Sequence, residues 1–194
     1  MPLSESEIVP VDQWVIFPGA AEGFQALLGR DVPPALAENL RAHGLDPSKP
    51  LLPAYPAPQF EAWIKLAAEA LFPREPPDRA QRHLGRRFFD GWKGTFIGAA
   101  ATALLRVVGP KRTISRIGRV FRHGNNFTVT HATFESETSA LVDFAQTQEI
   151  PEFVAGILEA GFELMGVSPT VTIVSRGVRE FVVRIAWSAQ PPSK

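Results

Sequence analysis

The chain has 194 residues, 45% hydrophobic and 21% charged, with twenty Lys and Arg balanced by twenty Asp and Glu and no cysteine. This composition excludes a disordered or fibrous chain, and zero net charge gives no bulk attraction to nucleic acid or membrane. The missing cysteine excludes disulfides, thiolate nucleophiles, Cys-ligated zinc and iron–sulfur clusters.

Met1 to Glu7 carries acids where a signal peptide needs Lys or Arg, so a cytoplasmic chain is expected. The most apolar stretch, Phe96 to Val108, falls short of the roughly 20 residues of a membrane span and predicts a buried helix. No transmembrane segment is expected.

In chain order, Trp14 to Phe17 predicts a strand ended by Pro18-Gly19. Ala20 to Leu28 predicts a helix with Gly29 as its cap, and Pro33-Pro34 opens a second that stops at His43-Gly44. Five prolines in residues 46–58 predict an extended connector. Gln59 to Phe72 is the third helix, with Phe60, Trp63, Ile64, Ala67 and Leu71 at helical spacing. Asp78 is the expected N-cap of a long central helix from Arg79 to about Val108, or of two helices with a bend near Gly91 or Gly94. Lys111 to Arg122 predicts another helix, with Ile114, Ile117 and Phe121 inward.

The hydrophobic period then changes from 3.6 to 2. Phe127–Phe134 and Ala140–Gln146 predict one hairpin, Pro151 to Met165 a helix stopped by Gly166, and Val171–Val174 with Phe181–Trp187 a second hairpin. Phe181, Val183, Ile185 and Trp187 share the expected buried face. The fold class is α+β: N-terminal helices, including the long central one, on a mainly antiparallel sheet of about four strands ordered strand-strand-helix-strand-strand. A single domain over 1–194 is expected, with its helical part at about 18–123, its sheet-bearing part at about 125–188 and a tail at 189–194.

Two constellations are candidates for function. Gly91, Gly94 and Gly98 would share one face of the central helix beside Trp92 and Phe96, forming either a close packing surface or a ligand groove. Between Arg74 and Arg122 lie twelve basic residues and three acids, whereas residues 1–73 hold nine acids and four bases. Arg112, Arg116 and Arg119, extended by His123, would form one helical stripe. Its two readings are a solvated face paired with acids of the first third and a site for an anionic partner. Nucleic acid is set aside because no aromatic residues interleave the stripe. No catalytic residue, metal ligand set, phosphate loop or nucleophile elbow is found. Asp143, on an apolar strand, is assigned to the water face. No cofactor is expected, the single opening being an axial haem ligand at His83 on the central helix.

Arg122-His123-Gly124-Asn125-Asn126-Phe127-Thr128 resembles the arginine–x–glycine–asparagine–asparagine–aromatic–threonine stretch of a family of uncharacterised proteins of about 200 residues, multiplied in myxobacteria. Pro53-Ala54-Tyr55-Pro56, Leu84-Gly85-Arg86-Arg87-Phe88 and the stretch from Pro151 to Glu159 are similar to its other blocks. The strand pair, glycine-punctuated helix (Gly156, Gly161) and terminal hairpin more distantly resemble the haem–nitric-oxide-binding, four-vinyl-reductase and TRAPP-subunit superfamily. That resemblance implies small-molecule sensing or a scaffold, usually dimeric. The two cysteines of the four-vinyl-reductase hairpin are absent here, so no role of theirs carries over. Gly124, Asn125 and Asn126 are read as a structural turn, with Gly124 left-handed and both Asn side chains bonding the turn backbone. The expected function is a non-enzymatic cytoplasmic ligand-binding or sensory domain with an apolar pocket under the central helix. The alternative is a homodimeric interaction scaffold using the basic helix face, its partner an acidic protein or an anionic small molecule.

Overall fold

A computed structural model describes residues 8–189. The acidic start and all but the first residue of the expected tail lie outside the described residues. A 3₁₀ turn at Val11–Gln13 leads into β1 (Val15–Ile16), α1 (Pro18–Leu28) and α2 (Pro34–Ala42). Then come β2 (Tyr55–Pro56), α3 (Ala57–Leu71), α4 (Pro77–Trp92), α5 (Phe96–Val108), α6 (Pro110–Ile114) and α7 (Ile117–Arg122). The last part is β3 (Val129–Ser136), β4 (Ser139–Ala145), α8 (Pro151–Leu164), β5 (Val167–Gly177) and β6 (Glu180–Ala189). No helix among the described residues is long and apolar enough to cross a membrane.

The four long strands form one antiparallel sheet in the order β3-β4-β6-β5. Alternation puts Ala140, Val142 and Phe144 of β4 and Phe181, Val183 and Ile185 of β6 on one buried face. Helix α8 covers that face with Val154, Ala155, Leu158 and Phe162. Its other side contributes Phe153 to a second core, built by α1, α3 and α4 around Phe24, Phe60, Trp63 and Leu84. α8 is thus apolar on two sides and joins both cores, as expected of a helix buried between layers. β1 and β2 pair as a short antiparallel ribbon.

α4 and α8 cross with almost no side chain between them. A Cβ on Gly85 would lie 2.0 Å from the Phe153 carbonyl oxygen, and one on Gly156 would lie 2.1 Å from that of Arg82. Charged groups close the crossing at its solvent edge. Arg82 donates to Glu152 at 3.0 Å, to Glu159 at 2.8 Å and to the Val171 carbonyl of β5. Arg176 of β5 binds Glu152 and Asp78. Arg86 binds Glu159 at 3.3 Å and Glu163. The Glu163 hydrogen bond is the main reason the Arg86 guanidinium is held above its ordinary pKa, against the opposing effect of burial.

Several sequence expectations are corrected. The predicted long central helix is two helices, broken at residues 93–95. Thr95 caps α5: its Oγ1 accepts from the Gly98 amide at 3.0 Å and donates to the Trp92 carbonyl at 2.8 Å. Pro76, not Asp78, precedes α4, and Asp78 is used by Arg176. The proline connector ends at Ala54, because Tyr55 and Pro56 pair with β1 and Pro58 sits in the first turn of α3, where a missing N–H costs nothing. The basic helix is also two pieces, α6 and α7, separated at Ser115–Arg116. β5 is longer than predicted and contains Pro169, which an edge strand tolerates. The expected water-facing position of Asp143 is observed.

Candidate functional site

A cavity of about 690 Å³ lies where α1, α4, α5, α7 and α8 meet. Its size falls in the range of small-molecule sites. The deep wall is aromatic. Phe60, Phe88 and Phe153 meet edge to face, with centroid separations of 6.4 Å from Phe60 to each of the others and 5.2 Å between Phe88 and Phe153. These rings come from α3, α4 and α8, so the close crossing at Gly85 and Gly156 positions this wall. Trp92 continues it, Ile97 and Leu105 of α5 line another side, and Val120 and Phe121 of α7 bring the sheet core to its edge. The first turn of α1, Phe17 to Ala20, lines the opposite side.

Asn125, Thr128, Thr147 and Gln148 are buried polar residues of the lining, and the side chains of Asn125 and Gln148 bond backbone. Asn125 is buried, and its Oδ1 accepts from the amides of Phe127 at 3.1 Å and Thr128 at 2.8 Å. Gln148 donates to the Ala57 carbonyl at 2.6 Å. Arg122 and His123, at the end of α7, are exposed, and their side chains make no hydrogen bond or ion pair among the described residues. These two are the charged or titratable side chains on the lining.

The segment after His123 ties this end of the cavity to the start of the fold. Phe17 donates to the Gly124 carbonyl at 2.9 Å, and Ile16 bridges Asn125. Asn126 accepts from the Val15 amide through Oδ1 and donates to the Gln13 carbonyl, both at 2.9 Å. The expected local turn is therefore corrected for Asn126, which bonds the distant β1 segment. Gly124 is not left-handed either, since the positive-φ glycines are Gly29, Gly44, Gly109 and Gly166.

Of the five groove candidates, only Trp92 lines the cavity. Gly91 packs on α1, where its Cβ would be 2.8 Å from the Leu27 nitrogen. Gly94 is in the interhelix turn, and a Cβ on Gly98 would lie 1.8 Å from the Trp92 carbonyl oxygen. Phe96 is 91% exposed. The three glycines do not form one stripe because the helix breaks between them. Arg112, Arg116 and Arg119 are exposed, but the same kind of break keeps them from forming one helical row, and Arg116 has a non-helical φ of −121°. The expected pairing with acids of the first third is absent among the described residues. His123 is carried to the cavity rim instead. Sequence reasoning missed Arg122 as a lining residue, the aromatic wall and the role of Gly85.

Among the described residues no three His, Cys, Asp or Glu side chains gather as a metal site. His123 is the one imidazole on the cavity wall, and no Met or Tyr lines it. A single imidazole over an apolar cavity suffices for an axially held haem iron, and the adjacent Arg122 offers a cation for carboxylates. His83 does not serve: it is exposed on α4, with its ring edge-on to Phe72 at 5.5 Å.

Residues 15–188 match the model of a family described as a protein of unknown function, DUF2378, and the chain belongs to that family. No curated protein matches. The fold is shared with solved H-NOX structures. An oxygen-binding H-NOX domain related to soluble guanylate cyclases has 13% identity and a TM-score of 0.63, covering 90% of this chain and 95% of that one. A mutant of the H-NOX protein of T. tengcongensis has 13% identity and a TM-score of 0.63, with 90% and 97% covered. A structure from work on modulating haem redox potential through protein-induced porphyrin distortion has 12% identity and a TM-score of 0.61, with 86% and 97% covered. The expectation of no cofactor, with His83 as the one opening to haem, is overturned on both counts. Solved structures that share this fold include ones concerned with haem redox potential and with haem distortion in the H-NOX family, and the imidazole on this cavity is His123.

Proposed function

We propose that the chain is a sensory ligand-binding domain whose ligand occupies the cavity between α1, α4, α5, α7 and α8, with haem held through His123 as the leading candidate. The observation that carries this reading is the roughly 690 Å³ apolar cavity with a lone imidazole and a lone guanidinium on its rim. The H-NOX-like fold supports it. Binding rather than catalysis is supported by the engagement with backbone of Asn125 and Gln148, two of the four buried polar residues on the wall. The absence of cysteine supports action in the cytoplasm.

In this reading Phe88, Phe153 and Trp92 flank the ligand and exclude water, Arg122 pairs with its acidic groups, and His123 holds it from one side. Bound haem would supply an iron centre able to take up a small diatomic molecule. The segment that follows His123 is joined to β1 and to the start of α1 through the Gly124 carbonyl and Asn125.

Hemin titration of the purified chain tests the proposal. The expected result is one equivalent bound with a Soret shift, a changed spectrum in His123→Ala that added imidazole restores, and an unchanged spectrum in His83→Ala. Saturable binding with an identical spectrum in His123→Ala would remove His123 from the role. Absence of saturable binding would remove haem.

A further inference from the structure

We propose that the exposed helix α5 and the arginines that follow it form a docking surface for an anionic lipid membrane. α5 has 13 residues, of which Arg106 alone is charged, and only Gly98 and Thr102 are buried. Phe96 is 91% exposed, Val107 83%, Leu104 60% and Ile97 53%. A helix apolar on every side is normally buried, so this one presents apolar surface that the described chain leaves uncovered. Val120 of α7, 44% exposed, lines the same cavity as Ile97 and Leu105.

The charge along this part of the chain is one-sided. Residues 91–134 contain seven Lys and Arg and no acid, in a chain whose net charge is zero. Lys93 and Lys111 have partners in Asp90 and Glu137. Arg106, Arg112, Arg116, Arg119 and Arg122 are exposed, and none has a carboxylate within 4.0 Å among the described residues.

These two features select the occupant. A second copy meeting this face in a two-fold dimer would bring the same unpaired arginines together, and like charges repel. A soluble anion would satisfy the arginines but leave Phe96, Leu104 and Val107 in water. The boundary of an anionic bilayer meets both needs: phosphate for the guanidiniums, and the acyl region for the apolar side chains. Docking there also sets the rim of the cavity, through Ile97, Val120 and Arg122, at the lipid surface. The inference needs no ligand in the cavity, so it and the haem reading fail separately.

Vesicle flotation of the full chain is the test. The arms are phosphatidylcholine alone and phosphatidylcholine with about a quarter phosphatidylglycerol, at 0.1 M and 1 M salt, where the screening length falls from about 10 Å to about 3 Å. Binding is expected only to the anionic vesicles and only at the lower salt. Each arginine near an anionic surface strengthens binding about fivefold, so Arg112→Gln/Arg116→Gln/Arg119→Gln should lower partitioning on the order of a hundredfold. Phe96→Ser/Val107→Ser should also lower it, by removing the inserted side chains. All five positions are exposed, so both variants should keep their circular-dichroism melting profiles. Failure to float with anionic vesicles at 0.1 M salt would overturn the proposal. So would equal binding to neutral vesicles, or binding unchanged in both variants. Polyglutamate that captures the chain as tightly as the vesicles, and depends on the same arginines, would replace the membrane with an acidic protein.

Discussion

Replacing Gly156 with alanine tests whether the α4–α8 crossing positions the cavity wall. Alanine is the better helix former by roughly 0.8–1 kcal/mol, so an unconstrained site would be stabilised. Here the new Cβ would lie 2.1 Å from the Arg82 carbonyl oxygen and 3.0 Å from the Arg86 nitrogen, both backbone atoms, whereas ordinary contact begins at 3.4 Å. To relieve this the two helices must part by about 1.3 Å, an overpacking that costs typically 1–3 kcal/mol and more when backbone must move. Parting them also stretches the bonds of Arg82 to Glu152 and Glu159 and opens the contact of Phe88 with Phe153. The expected net loss in urea unfolding is about 2 kcal/mol, the upper end of the overpacking range because backbone must move, less the propensity gain of about 1 kcal/mol. At this chain length each kcal/mol lowers Tm by roughly 2–4 °C. Gly161→Ala on the same helix is the control. Its Cβ would meet only the edge of the Phe89 ring, at 3.6 Å, so stability should hold or rise by up to about 1 kcal/mol. Gly156→Ala as stable as the parent, or an equal loss in both variants, would refute the argument.

Phe181→Ala should cost about 3–5 kcal/mol, because Phe181 is 2% exposed and stacks on Phe144 at 4.8 Å; a denaturant melt showing a loss under about 1 kcal/mol would contradict its core role. The hydrogen bonds of Arg184, then of Ser139, hold the Glu135 carboxyl below the usual carboxylate range. Its contribution is therefore present above the unfolded value of about 4.3 and fades as pH falls through the lower folded value. The parent should exceed Glu135→Gln in stability at neutral pH and converge with it in acid; a gap that widens in acid would reverse the assigned sign.

The sequence makes the sheet and α8 legible because their signals are local. Phe181, Val183 and Ile185 alternate over a single strand and are all buried. Pro151 and Gly166, the latter at φ +78°, bracket α8 at the predicted ends. The break after Trp92 is harder to read, because Leu84, Phe88, Trp92 and Phe96 continue one helical period across it. That spacing reports apolarity, not continuity, and it is the Thr95 hydroxyl that diverts the chain. The same loss of phase disperses the predicted arginine row at Ser115–Arg116. Gly156 and Ala160, four apart, suit close packing in the sequence alone, but the partner position Gly85 becomes visible only in the fold, because a close crossing requires the bare position on both helices.

The cavity escaped sequence reading for a related reason: its lining comes from segments between Ile16 and Ile157, and an apolar pattern does not tell filled space from open space. α5 links the open interior to the exposed surface. The Thr95 cap and the close approach of Gly98 to the Trp92 carbonyl fix the direction in which this helix leaves α4. In that direction Ile97 and Leu105 reach the cavity, while Phe96, Leu104 and Val107 are left in solvent. Folding the helix inward would bury that surface, at about 25 cal/mol for each Å² removed from water, and would close the cavity. The apolar surface exposed on α5 and the space held beside it are therefore one feature of the packing.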